Sequence, residues 1–165
     1  MFFLVMIKTH LPVLKKLLFF VLITACPLSY GFGADATEQQ MLSWSNRCFV
    51  QSFDANAAGK LKKWELTLTE DAFIRLRKTY VNGKQEYFSF HMQRFDDMDY
   101  LGTAAGGTLK LRTGDEDIIV QTYNDRKGNV DTMAAVLDIP VKNMEPERLD
   151  SLRNVLMYFK KKAVN

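Results

Sequence analysis

Few residues in this 165-residue chain could do chemistry, for it has two histidines and two cysteines. Ser89 and His91 stand two apart in KQEYFSFHMQRF. A nucleophile and its base need hydrogen-bond contact and a third group to orient the base. Alternate residues of a strand share a face but lie roughly 7 Å apart. The pair is therefore not read as catalytic, and His91 is expected as a solvated surface histidine. One histidine and one cysteine beyond the N-terminal stretch do not make a zinc site of the N/S kind. The runs Asp96, Asp97, Asp99 and Asp115, Glu116, Asp117 are acidic enough for calcium but lack the spacing of an EF-hand loop. Both are expected in solvated turns, where aspartate is favoured. GTAAGGT, from Gly102 to Thr108, has the glycine spacing of a phosphate loop. However, Thr108 stands where the lysine belongs, and the next residues read as a strand. It is expected as a hairpin loop or bulge. No metal ligands and no cofactor are expected. No carboxylate stands in an apolar setting that would raise its pKa, so no glycosidase-type acid pair emerges.

The elements that must position these residues follow from periodicity. TEQQMLSWSNRCF, from Thr37 to about Phe49, is a short amphipathic helix with Met41, Trp44 and Cys48 on one face. That spacing predicts a buried Cys48, acting as a small hydrophobe. Alternation then takes over in KKWELTLT, AFIRLRKTYV and KQEYFSFHMQRF, and TLKLRT, DIIVQTY and VDTMAAVLDI supply three more strands. Turn residues separate them and no helix-length segment intervenes, which disfavours a parallel sheet. VNGK invites a two-residue hairpin turn. That register would set Arg77 against Phe88 and mix the two faces. A three-residue loop, Val81 to Gly83, with Gly83 left-handed, sets Leu76 against Phe88 and Ile74 against Phe90, because a one-residue slip flips every side chain.

The C-terminal segment reads as a helix. Asn143 is its expected cap and Pro146 suits its first turn. Leu149, Leu152, Leu156 and Phe159 make its stripe, with acids at the start and lysines at the end. The fold class is α+β: an antiparallel β-sheet meander with a short N-terminal helix and a C-terminal helix packed on the sheet. In the chosen register Phe73, Arg75, Arg77, Tyr87, Ser89 and His91 share the outward face of one hairpin. Arginine and aromatic side chains are the usual anchors of interfaces.

The N-terminus supplies an address. Lys8, Lys15 and Lys16 precede the apolar LLFFVLITAC, and small residues follow at Gly31, Gly33, Ala34 and Ala36. This is the signal-peptide pattern, and the apolar run is shorter than a membrane span. Residues 1–33 are expected as a signal peptide cleaved somewhere in 25–36, with 34–165 as one domain, and Met6 is an alternative start. ITAC also resembles a bacterial lipobox, which would put a lipid on Cys26. The chain has 22 Lys and Arg against 19 Asp and Glu; losing the three leader lysines equalises the totals. Nucleic-acid binding, which needs clustered positive charge, is excluded as a class.

The run DYLGTAAGGTLKLRTGDEDIIVQTYND, with the strand and helix after it, resembles short uncharacterised exported proteins of Bacteroidetes-type bacteria. The resemblance implies an envelope location. The expected protein is exported through the inner membrane and is periplasmic or extracellular. It is expected to be a non-enzymatic binding module whose partner is a protein or another envelope macromolecule, with membrane contact only if Cys26 is lipidated. The alternatives are a small hydrolase using carboxylates, or a lipoprotein with a structural role at the membrane surface.

Overall fold

The computed structural model describes residues 37–164. The signal-peptide reading and the Cys26 lipobox lie outside the described residues. Helix α1 (Glu38–Ser52) begins where Thr37 and Gln40 cap each other: the Thr37 hydroxyl accepts the Gln40 N–H, and the Gln40 side chain accepts the Thr37 N–H. Eight strands follow: β1 (Leu61–Leu68), β2 (Phe73–Tyr80), β3 (Gln85–His91), β4 (Phe95–Thr103), β5 (Gly106–Thr113), β6 (Ile118–Tyr123), β7 (Asp131–Ala134) and β8 (Val136–Lys142). A 3₁₀ turn, Met92–Arg94, joins β3 to β4, and α2 (Pro146–Val164) closes the chain.

The strands make two antiparallel sheets, one of five in the order β1-β2-β3-β6-β7 and one of three in the order β4-β5-β8. The α+β class and both terminal helices stand as expected. The meander is broken, because β4 and β5 leave the first sheet before β6 returns to pair with β3. VDTMAAVLDI is two strands, β7 in one sheet and β8 in the other.

The β2–β3 register is the one the face argument selects, with Leu76 opposite Phe88 and Ile74 opposite Phe90. The loop spans Val81 to Gly83: Tyr80 donates to the Lys84 carbonyl, and Gly83 has φ +88°. Leu66, Leu68, Ile74, Leu76 and Phe90 of the large sheet, Met98, Leu109, Leu111 and Ile139 of the small one, and Leu152, Leu156 and Phe159 of α2 form one buried cluster. Cys48 and Phe49 of α1 join it. Full burial of each such side chain is worth about 1.5–3 kcal/mol.

Two expectations are corrected. Asp96, Asp97 and Asp99 are not in a turn but in β4, whose bulge lies between Phe95 and Met98. Buried Phe95 and Met98 hold the segment extended, and Lys160, Arg153 and Arg112 neutralise the three acids. Asn143 does not cap α2. It has φ +54°, and the first helical acceptor is the Glu145 carbonyl, which takes the N–H of Arg148 and Leu149. GTAAGGT is a hairpin, as expected, and joins β4 to β5. Gly102 opposes Gly107 so closely that a Cβ on either would meet backbone at 2.5 Å.

Candidate functional site

Both described helices pack on the cluster between the sheets and, among the described residues, leave the other side of the five-stranded sheet uncovered. Strand alternation puts Phe73, Arg75 and Arg77 of β2 there, opposite His91, Ser89 and Tyr87 of β3. The Arg77 guanidinium lies over the Tyr87 ring at 5.7 Å, and that of Arg75 over Phe73 at 5.1 Å. Each contact adds roughly 0.5–1 kcal/mol at an exposed site and holds the arginine in place.

Two of the six predicted residues behave differently from expectation. Ser89 faces this side but is only 4% exposed, because its small side chain sits between the larger cross-strand neighbours Arg75 and Ile119. His91 is half-buried rather than solvated. Its ring meets Phe73 edge-on at 4.8 Å, and its Nδ1 accepts the Gln93 N–H at 3.4 Å, which caps the 3₁₀ turn. The structure therefore brings Phe73, Arg75, Arg77 and Tyr87 together as an accessible group, with His91 as a structural neighbour.

Sequence reasoning missed the other half of the face. Through the β3–β6 pairing, Tyr87 stands beside Gln121 and Ser89 beside Ile119; through β6–β7, Ile119 stands beside Met133. Ile119, Tyr123 and Met133 are each more than a third exposed, a concentration of apolar surface on one side of one sheet. The Tyr123 hydroxyl donates to Gln121 at 3.0 Å. A depression of about 370 Å³ is lined by Arg77, Gln85, Glu86, Tyr87, Gln121 and Tyr123. The alternation in DIIVQTY carried this signal, but the β3–β6 neighbourhood is not written in adjacent sequence.

Behind the face, at the turn end of the β2–β3 hairpin, lies a charged network. Glu86 accepts from the Tyr80 hydroxyl at 2.8 Å and pairs with Lys78 at 2.9 Å and Lys84 at 3.0 Å; Lys84 also reaches Asp125 at 2.9 Å. Burial works to raise the Glu86 pKa, but the hydrogen bonds from Lys78, Tyr80 and Lys84 outweigh it and hold the carboxyl below its ordinary value. Burial and the bond to Glu86 push Tyr80 up to about 12. Asp125 is held low chiefly by the Lys127 N–H, and Asp71 by the Thr69 hydroxyl. Lowered carboxyls are poised as ion partners, not as general acids. Among the described residues no three His, Cys, Asp or Glu side chains are grouped to hold a metal ion, and no helix is long and apolar enough to cross a membrane.

A groove of about 800 Å³ runs between α1 and β1 and is lined by Leu42, Asn46, Val50, Glu65 and Leu68 among others. Asn46 there is committed to backbone: its amide donates to the Leu68 carbonyl at 2.9 Å and accepts the Leu68 N–H at 2.8 Å. Cys48 is buried as predicted, and burial pushes its thiol pKa up against the opposing charge of Arg148. What fold and site define together is an α+β domain with one bare, arginine- and aromatic-bearing sheet face. No protein-family model, curated protein or solved structure matches the chain.

Proposed function

We propose that this is an exported bacterial binding module that recognises an envelope macromolecule, a protein surface foremost, through the outward face of the five-stranded sheet. The observation that carries the reading is the pairing of stacked Arg77–Tyr87 and Arg75–Phe73 with exposed Ile119, Tyr123 and Met133 on a face that neither described helix covers. Pre-ordered arginine and aromatic groups lose little entropy on binding, and contiguous exposed apolar area marks interaction surfaces.

The test is site-specific photo-crosslinking in cells that express the protein, with a benzophenone side chain at Gln121 on the face or at exposed Asn154 on α2. A discrete adduct from Gln121, lost with Arg77→Ala and absent from Asn154, is the expected result. Equal labelling from both positions, or an adduct indifferent to Arg77, overturns the reading. Export is tested separately by the intact mass of the mature protein. Loss of the leader supports it, acylated Cys26 redirects the search to membrane-bound partners, and an uncleaved chain refutes it.

A further inference from the structure

Two sheets have four edge strands, and three of them are occupied within the chain. Asn46 holds both main-chain groups of Leu68 on β1. Arg153 of α2 donates to the Met98 carbonyl on β4 and to Asp97. On β8, Phe53 bridges to Val141, and the Asp54 N–H donates to the Pro140 carbonyl at 2.9 Å. The fourth edge is β7.

The Thr122 N–H donates to the Val130 carbonyl, and the Val130 N–H donates to the Thr122 hydroxyl, so Val130 bonds inward to β6. Inward and outward residues alternate along an antiparallel ladder. Thr132 and Ala134 therefore bond inward, and Asp131 and Met133 present N–H and C=O outward. Among the described residues nothing binds those outward groups. Asp131, Thr132 and Met133 are exposed, as is Val130 just before them. A row of unpaired donors and acceptors of this kind is a template for another strand.

The charges around β7 indicate which strand. At its N-terminal end the 124–129 loop carries exposed Arg126 and Lys127. At its C-terminal end the 114–117 loop carries exposed Asp115 and Glu116, held there because the Thr113 hydroxyl bonds to both the Asp115 and the Ala135 carbonyls. None of these four side chains forms an ion pair among the described residues, whereas Asp117 pairs with Arg94 and Asp125 with Lys84. One end of the edge is basic and the other acidic. A parallel partner copy would set like against like, and an antiparallel one sets each end against its opposite.

We propose that β7 is a self-association edge, at which a second copy of this chain adds its own β7 antiparallel about a two-fold axis at Thr132. Each copy gives its Met133 N–H to the Asp131 carbonyl of the partner subunit and its Asp131 N–H to the Met133 carbonyl of the partner subunit. Arg126 and Lys127 of each copy approach Asp115 of the partner subunit and Glu116 of the partner subunit. The two five-stranded sheets become one, and their outward faces, each with Ile119 and Met133 at the seam, become continuous. The pairing does not depend on that face having any other ligand. The contact is small, so the dimer is weak and concentration-dependent.

Sedimentation equilibrium of the mature protein from ~1 to ~500 μM tests this. The expected result is a monomer–dimer equilibrium that weakens with added salt. Met133→Pro deletes an outward N–H along with the exposed Met133 side chain, a change edge positions tolerate. It should raise the dissociation constant at least tenfold with unchanged circular dichroism. Should that variant lose its fold, the charges carry the test: Arg126→Glu with Lys127→Glu weakens the dimer about tenfold, and adding Asp115→Lys with Glu116→Lys restores it. A monomer at every concentration overturns the proposal. So does a dimer indifferent to these variants, or one lost only with Ile119→Asp on the face.

Discussion

β1 and β7 end the same sheet in opposite ways. At β1 a helix lies along the strand and one of its side chains, Asn46, mimics a neighbouring strand by giving and taking a hydrogen bond at Leu68. At β7, among the described residues, no helix and no side chain takes that role. The strand is only four residues long, and its outward main-chain groups meet solvent. A sheet can be protected from unwanted pairing by covering an edge or by keeping it short. This molecule does both, at opposite ends. The covered edge is bound up with folding, whereas the short one is left available for association.

The largest effect expected from this contrast is at Asn46. Asn46→Leu keeps the bulk but strands the N–H and C=O of Leu68, a residue only 1% exposed. Leaving such groups unsatisfied should cost about 2–3 kcal/mol, read as a lower urea midpoint with an unchanged slope. Arg153→Met is the same experiment on β4. Its side chain is 42% exposed in its pairing with Asp97, so water replaces part of what is lost and the cost should be about 1 kcal/mol. If Arg153→Met costs more than Asn46→Leu, burial is not what sets the value of an edge plug.

The sequence yields the large sheet's hairpin and both helices because local chemistry and tertiary packing agree there. In VNGK the face argument picks the loop length, and α2 carries Pro146 at its start, Glu147 in its first turn and Lys161 and Lys162 in its last. It fails at β4, where three aspartates among six residues read as a turn. Their counter-charges on β5 and α2 come from Arg112, Arg153 and Lys160, between 13 and 64 positions away, beyond any local window. It fails again at Ala135, where VDTMAAVLDI changes sheet with no glycine or proline to mark the break. The candidate face is half legible for the same reason. Phe73, Arg75, Arg77 and Tyr87 belong to one hairpin, whereas Ile119, Tyr123 and Met133 join them only through the long-range β3–β6 pairing.

Between the two edges, the hairpin end held by Glu86 and Tyr80 gives a smaller, pH-specific effect. Tyr80 is raised to about 12 from an ordinary value of 10.0, so the folded protein holds this proton where the unfolded chain releases it. Its contribution is complete below pH 10 and is lost as pH rises toward 12. The melting temperature should fall across that window more steeply than in Tyr80→Phe. Glu86 has the opposite sign: its lowered pKa contributes above the unfolded value and is lost as pH falls through the folded one.

The smallest stability effect should come from Met133→Lys. The side chain is 44% exposed, and lysine on an edge strand is a common safeguard against pairing. In dilute protein the change should stay within about 0.5 kcal/mol. At high concentration the paired wild type gains stability by mass action, since the second copy binds only the folded chain. The wild-type melting temperature should then rise with concentration, and that of Met133→Lys should not. The gap between them measures the edge itself, separately from the fold. If Met133→Lys is as costly in dilute solution as Asn46→Leu, β7 is part of what holds the monomer together and the contrast between the two edges fails.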